Sequence, residues 1–310
     1  MAKKIIILDS TSESSQQPED QEKKENEKGY NIYPPEWTLN EIILPKSVRE
    51  TLDDVVTYCK QKEKIVNEWD LKRFLKGTGG TTGINFYGPP GTGKSIAAEA
   101  IAHAIGMNLI RADYSEISDS LLGGTEKKLT ALFKNAEQNN AVIFFDEADG
   151  LLSKRTSGTK SSETNNQIKS HLLTLLDRSK AIIIFATNFF ENYDKAFFRR
   201  ILFHVGFESP TQEQLIDLWK FHFNERIPKN ITYDKLAKIS KGLAGGDIKN
   251  LTLKLCIKLS SGRVHEINEV VVEEEISKYQ ASLKASEKTN SEWSIPQETN
   301  EFPENLIKAN

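Results

Sequence analysis

Two stretches of this sequence carry residue types at a spacing that chemistry can use. The first, Gly88-Pro89-Pro90-Gly91-Thr92-Gly93-Lys94-Ser95, fits the pattern Gly-x-x-x-x-Gly-Lys-Ser between a predicted strand and a predicted helix. Its glycines let the backbone curl until successive N–H groups point inward at phosphate oxygens. The helix that follows, from Lys94 through Ser95 and Ile96, turns its positive N-terminal end toward the same anion. There Lys94 reaches the β and γ phosphates of a bound ATP, and Ser95 offers its hydroxyl to Mg²⁺. The second stretch, Ile143-Phe144-Phe145-Asp146-Glu147, sets two carboxylates at the end of an apolar run, where open α/β sheets keep their ligand crevice. Asp146 suits the metal shell. Glu147 suits polarising a lytic water, which must stand one water molecule away from the γ phosphate.

These groups need elements to hold them. Apolar runs at Ile84 to Tyr87, Asn108 to Arg111, Ala141 to Phe145 and Ala181 to Ala186 predict buried strands. Between them, Lys94 to Ile105, Lys127 to Ala136 and Ser162 to Leu176 predict helices. The alternation implies an α/β fold, a parallel sheet with helices on both faces. Beyond Pro210 the strand signals stop. Gln212 to Asn224, Tyr233 to Ser240, Asp247 to Ser260 and Val270 to Lys284 have helical spacing and predict a small all-helical lid. The expected organisation is a disordered polar tail over 1–30, a nucleotide-binding domain with its linker over 31–210, the lid over 211–284 and a flexible tail over 285–310. The first tail is almost wholly polar from Asp9 to Gly29 and cannot bury enough apolar surface to offset ordering. The second scatters Trp293, Ile295, Phe302, Leu306 and Ile307 through polar residues. The glycines of Gly77 to Gly83 predict a flexible lead-in to the first core strand.

Bulk properties narrow the class. A chain of 310 residues with formal net charge -3 has no overall basic field, so nucleic acid is not expected as a direct substrate. The two cysteines, Cys59 and Cys256, have neither disulfide-framework nor zinc spacing and suit a reducing compartment. Without a run near the roughly 20 apolar residues that cross a bilayer, a cytoplasmic protein is expected. The letters Asp146-Glu147-Ala148-Asp149 also spell a helicase box, but the Ser-Ala-Thr motif and second RecA-like domain of those helicases have no counterpart in the pattern.

With these residues in view, the stretch from about Trp37 to Lys284 resembles the AAA ATPase family in its narrow sense, the group that includes katanin, spastin and the proteasomal ATPases. Its most specific part is Ala186-Thr187-Asn188 followed by Asp194, Arg199 and Arg200, which looks like that family's second region of homology. The resemblance implies that Asn188 senses the γ phosphate and orients water. It also implies that Arg199 and Arg200 enter the ATP site of an adjacent subunit, where a guanidinium can be worth about 10³ to 10⁵ in rate. Gly242-Leu243-Ala244-Gly245-Gly246-Asp247 looks like the family's adenosine-packing motif, with Gly245 and Gly246 as the contacts. His222 falls where relatives set a histidine against the nucleotide, and Glu41 and Ile42 resemble the element whose backbone holds adenine.

One departure bears on mechanism. Relatives that thread polypeptide carry an aromatic residue before Gly-Glu-Ser-Glu, and this chain has Leu121-Leu122-Gly123-Gly124-Thr125-Glu126. A second pore-loop candidate, Lys154 to Lys160, is basic. The resemblance implies a homo-oligomeric ring, a hexamer, that hydrolyses ATP to remodel or unfold a protein or protein complex. The alternative is a nucleotide-driven switch or scaffold that controls a partner enzyme such as a protease or a nuclease.

Overall fold

The computed structural model describes residues 30–73, 81–113, 124–154, 160–188 and 193–292. In chain order its elements are β1 (Ile32–Tyr33), α1 (Lys46–Glu68), a 3₁₀ turn (Leu71–Arg73), β2 (Thr82–Tyr87), α2 (Lys94–Ile105), β3 (Asn108–Ala112), α3 (Gly124–Gln138), β4 (Ala141–Phe145), α4 (Asp149–Leu152) and α5 (Lys160–Arg178). They continue with β5 (Ile182–Thr187), α6 (Lys195–Phe198), β6 (Phe203–Gly206), α7 (Gln212–His222), β7 (Lys229–Asn230), α8 (Tyr233–Ile239), α9 (Gly245–Ser260), β8 (Ile267–Asn268) and α10 (Glu269–Glu292). The tail readings over 1–29 and 293–310, the Gly77 to Gly80 part of the lead-in, Leu121 with Leu122, and 155–159 of the basic loop lie outside the described residues.

Two compact units are present. The first draws its described residues from Met1–Thr38, Val55–Phe86 and Ala98–His204, the second from Leu39–Asp54, Tyr87–Ala97 and Val205–Asn310. Six strands form one sheet in the order β1-β3-β4-β5-β2-β6, with β3, β4 and β5 parallel. All five residues of β4 are buried, as an apolar strand covered on both faces should be. Register follows from that burial: Ile143 lies opposite Ile110 on one side and Ile183 on the other, so a slip of one residue would move the whole apolar set. The first unit's core packs Phe145 on Phe185 in a stack 5.4 Å apart, with Leu129, Leu132 and Phe133 of α3 and Ile168, Leu172 and Leu176 of α5 against it. The second unit has its own core around Trp219, Phe223, Leu236, Leu251 and Leu255. Its indole N–H donates to Ser240 Oγ at 2.8 Å, which satisfies the one polar atom that Trp219 buries.

All four predicted core strands and all seven predicted helices are present, with ends moved by up to three residues except in α10, which runs eight residues past Lys284 to Glu292 and into the stretch expected as a flexible tail. Three further features differ from the sequence expectation. β1 adds an antiparallel edge, Tyr33 opposite Leu109, to the otherwise parallel ladder. The 23-residue helix α1 was not among the expected elements, because its buried Val48, Leu52 and Val55 are spaced one turn apart among charges and form no apolar run. The helical region after Pro210 includes a two-residue parallel pair, Lys229 opposite Ile267 and Asn230 opposite Asn268, so it is helical without being purely so.

Candidate functional site

Two clusters of chemistry-bearing residues stand out, one in each unit. In the second unit the loop from Gly88 to Gly93 leaves β2 and enters α2. Gly88 has φ +134° and Gly91 φ +75°, a left-handed region where L-residues are strained. A Cβ on Gly88 would stand 1.9 Å from the Phe207 carbonyl oxygen, and Phe207 N–H in turn donates to Tyr87 O at 2.7 Å. Only glycine fits there, and the tight curl is what lets backbone N–H groups face inward. Lys94 is buried at 8 % exposure, and its ammonium donates to Gly88 O at 2.6 Å and Pro89 O at 2.8 Å. The cation is therefore held inside the curl, where an anion would find it. Thr92 Oγ1 donates to Pro89 O at 2.8 Å and closes the turn. Ser95 and Ile96 follow on the first turn of α2, both half-buried. A glycine cradle around a buried ammonium suits a polyphosphate, and the serine hydroxyl is a hard oxygen donor of the kind Mg²⁺ takes.

The lid glycines meet this loop within the same unit. Gly246 N–H donates to Gly91 O at 3.1 Å, and a Cβ on Gly246 would stand 3.4 Å from Gly91 Cα. Asp247 makes that approach possible by capping α9: its carboxylate accepts from Ala244 N–H at 2.8 Å and from the Tyr279 hydroxyl at 2.5 Å. Gly245 packs toward Leu218. Ile42 is buried, and Arg49 shapes its segment by donating to Leu39 O and, at 3.1 Å, to Asn40 Oδ1. His222 is half-buried, and burial followed by the Lys249 charge pushes its pKa below the ordinary histidine value, which favours a neutral ring near neutral pH.

In the first unit, Asp146 and Glu147 follow β4 directly. Asp146 accepts from Arg111 Nη2 at 2.5 Å and from Glu147 N–H at 3.1 Å. Glu147 has φ +52°, a left-handed conformation that costs a non-glycine residue about 1–2 kcal/mol. The neighbouring Ala148 N–H donates to Ala186 O at 2.8 Å and ties the turn to β5, so the strain is held by a strand on its flank. Asn188, at the end of β5, is also tied to this turn. Its N–H donates to Asp149 Oδ1 at 3.2 Å, and that carboxylate also accepts from the Thr187 hydroxyl. Asp146, Glu147 and Asn188 thus share one hydrogen-bonded strand-end cluster. Arg199 and Arg200 follow at the end of α6 and share none of the cluster's hydrogen bonds named above: both are exposed, and Arg200 is bonded to Asp177.

Three participants escaped the sequence reading. Arg111 pairs with Asp146 across adjacent strands, which the β3–β4 register, Arg111 opposite Phe144, makes possible. Asp149 appeared only as the last letter of a helicase box, although its position three residues after Asp146 set it at the start of α4. Asp177 carried no signal, because its partner lies 23 residues downstream.

The family model for "ATPase family associated with various cellular activities (AAA)" matches residues 84–209. Among curated proteins, Protein SAV of Sulfolobus acidocaldarius is 33 % identical over 225 residues, 69 % of this chain and 28 % of that protein. The Cell division cycle protein 48 homolog of Archaeoglobus fulgidus is 30 % identical over 229 residues, 67 % of this chain and 31 % of that protein. The Vacuolar protein sorting-associated protein 4 of Dictyostelium discoideum is 34 % identical over 178 residues, 54 % of this chain and 39 % of that protein. The chain spans well under half the length of each of these relatives.

Proposed function

We propose, for a chain that belongs through this domain to the AAA family of ATPases, that it binds ATP with Mg²⁺, hydrolyses it, and uses the cycle to remodel a protein or protein complex. The observation that carries this reading is the buried Lys94 ammonium inside a loop that only glycines can build, with Gly246 bonded to the same loop. Gly88 to Ser95 would hold the phosphates through backbone N–H groups and Lys94, with Ile96 behind them. Ile42, His222, Gly245 and Gly246 would border the base and sugar. Ser95 and Asp146 would hold the metal, which when bound neutralises charge on the phosphate oxygens. Glu147 would take up the lytic water's proton, and Asn188 would orient that water. Arg199 would serve the site of a neighbouring copy, in a homo-oligomeric ring of hexameric type in the cytoplasm.

Hydrolysis in such a ring would move segments bordering its axis, Leu121-Leu122 and Lys154 to Lys160 among them, against the substrate. Two leucines offer burial without the stacking of an aromatic.

The test is the carboxylate division of labour. Glu147→Gln keeps the shape but loses the base, so ATP should still bind by equilibrium fluorescence while hydrolysis falls by orders of magnitude. Lys94→Ala should lose nucleotide affinity instead. Hydrolysis near the wild-type rate in Glu147→Gln would remove Glu147 from the role.

A further inference from the structure

The two arginines that end α6 look equivalent in the sequence and are not equivalent in the structure. α6 has four residues, too few to hold a helix by its own hydrogen bonds, so external ties must fix it. At its start Asp194 N–H donates to Leu152 O at 2.8 Å, and the Asp194 carboxylate accepts from Ala196 N–H at 2.8 Å. In its middle Phe197 is fully buried. At its end Arg200 makes a fork: Nε donates to Asp177 Oδ1 at 2.8 Å, Nη2 to Asp177 Oδ2 at 3.0 Å, and Nη1 turns back to Ala196 O at 3.1 Å. All three guanidinium nitrogens are thus committed, two to the last turn of α5 and one to α6 itself. The pair is about one-third exposed on each side, and bidentate arginine–carboxylate geometry is the kind of surface ion pair that holds a position. Arg199, the preceding residue, is the C-cap of α6 and is exposed.

We propose that Arg200 is a positioning residue, latched to Asp177, whose work is to fix α6 on the end of α5 and so aim Arg199. Arg199 alone is then the guanidinium that reaches the neighbouring ATP. This rests on the reading of Arg199 given above and divides a pair of arginines that the sequence presents as one unit. It also gives Asp177, on α5 and outside the hydrolytic cluster's hydrogen bonds, a part in the reaction.

Magnitudes separate the two roles. A displaced catalytic group costs on the order of 10²-fold in rate. A deleted transition-state guanidinium costs about 10³ to 10⁵. The experiment measures kcat and KM for ATP on the assembled full chain for Arg199→Ala, Arg200→Ala, Asp177→Ala, the double Asp177→Ala/Arg200→Ala and the charge swap Asp177→Arg/Arg200→Asp, with melting temperature and assembly size in parallel. The latch predicts that Asp177→Ala and Arg200→Ala lower kcat by the same factor, within about 10²-fold, and leave KM unchanged. It further predicts that the double variant is no worse than either single and that the swap recovers part of the loss. An Arg200→Ala variant that falls on the order of 10³-fold while Asp177→Ala keeps its rate overturns the proposal, as does a double variant in which the two losses multiply. Should the single variants fail to assemble, the swap decides: recovery of assembly and kcat together supports the latch, and recovery of assembly alone contradicts it. Full hydrolysis by Arg199→Ala would instead defeat the reading of Arg199 itself, an outcome distinct from any shown by Asp177.

Discussion

Asn85 lies in the middle of β2 with no exposed surface, and among the described residues neither its amide nitrogen nor its carbonyl oxygen has a hydrogen-bond partner. An orphaned buried polar group costs about 1–3 kcal/mol. Asn85→Leu, which removes both orphans at similar volume, should therefore raise the melting temperature. A lower melting temperature would mean that the amide is bonded in solution and contributes to the fold. The same scale shows what the sequence reveals and what it hides. Lys94 and the loop carbonyls it bonds lie within six residues, so a local pattern was sufficient to find them. Glu147 was legible as a carboxylate, but its left-handed backbone was not, because only the hydrogen bond from Ala148 to β5 explains how the strain is held. Arg111 with Asp146 and Arg200 with Asp177 join residues 35 and 23 apart, and no spacing rule pairs them without the fold.

Elements were read best where burial produces a run and worst where it produces a sparse stripe. β4, five apolar residues in a row, was bounded correctly from the sequence, while α1 passed unnoticed because its three buried residues are scattered over eight positions of a charged helix. Glycines mark the joints between elements more sharply than apolar pattern does. The β2-to-α2 joint depends on Gly88, whose Cβ position is taken by the Phe207 carbonyl. Gly88→Ala should hence open the loop and lose ATP affinity by more than tenfold, about 1.4 kcal/mol, while the second unit's helical core, formed by α7 to α10, keeps its circular dichroism. Unchanged ATP affinity would mean that the curl is not what binds phosphate.

For the whole molecule, the two compact units interleave along the chain, since Tyr87–Ala97 packs with residues from Val205 onward through the bonds Phe207 N–H to Tyr87 O and Gly246 N–H to Gly91 O. Among the described residues no helix is long and apolar enough to cross a membrane. The proposed ring requires that one copy complete the ATP site of the next. A head-to-tail interface would allow it, because each copy would then present Arg199 to one neighbour and a phosphate loop to the other. The direct measurement is ATP hydrolysis by Arg199→Ala and Lys94→Ala proteins, each alone and mixed. Each alone should be nearly inactive, the first lacking the arginine at every interface and the second lacking the phosphate lysine. In a random equal mixture roughly a quarter of the interfaces join an intact Lys94 to an intact Arg199. The account predicts that mixing restores hydrolysis well above the sum of the separate rates and that the gain is largest near equal proportions. Hydrolysis that stays at the sum at every ratio, with mixed assemblies demonstrated by differential tagging, would contradict it and return Arg199 to its own subunit.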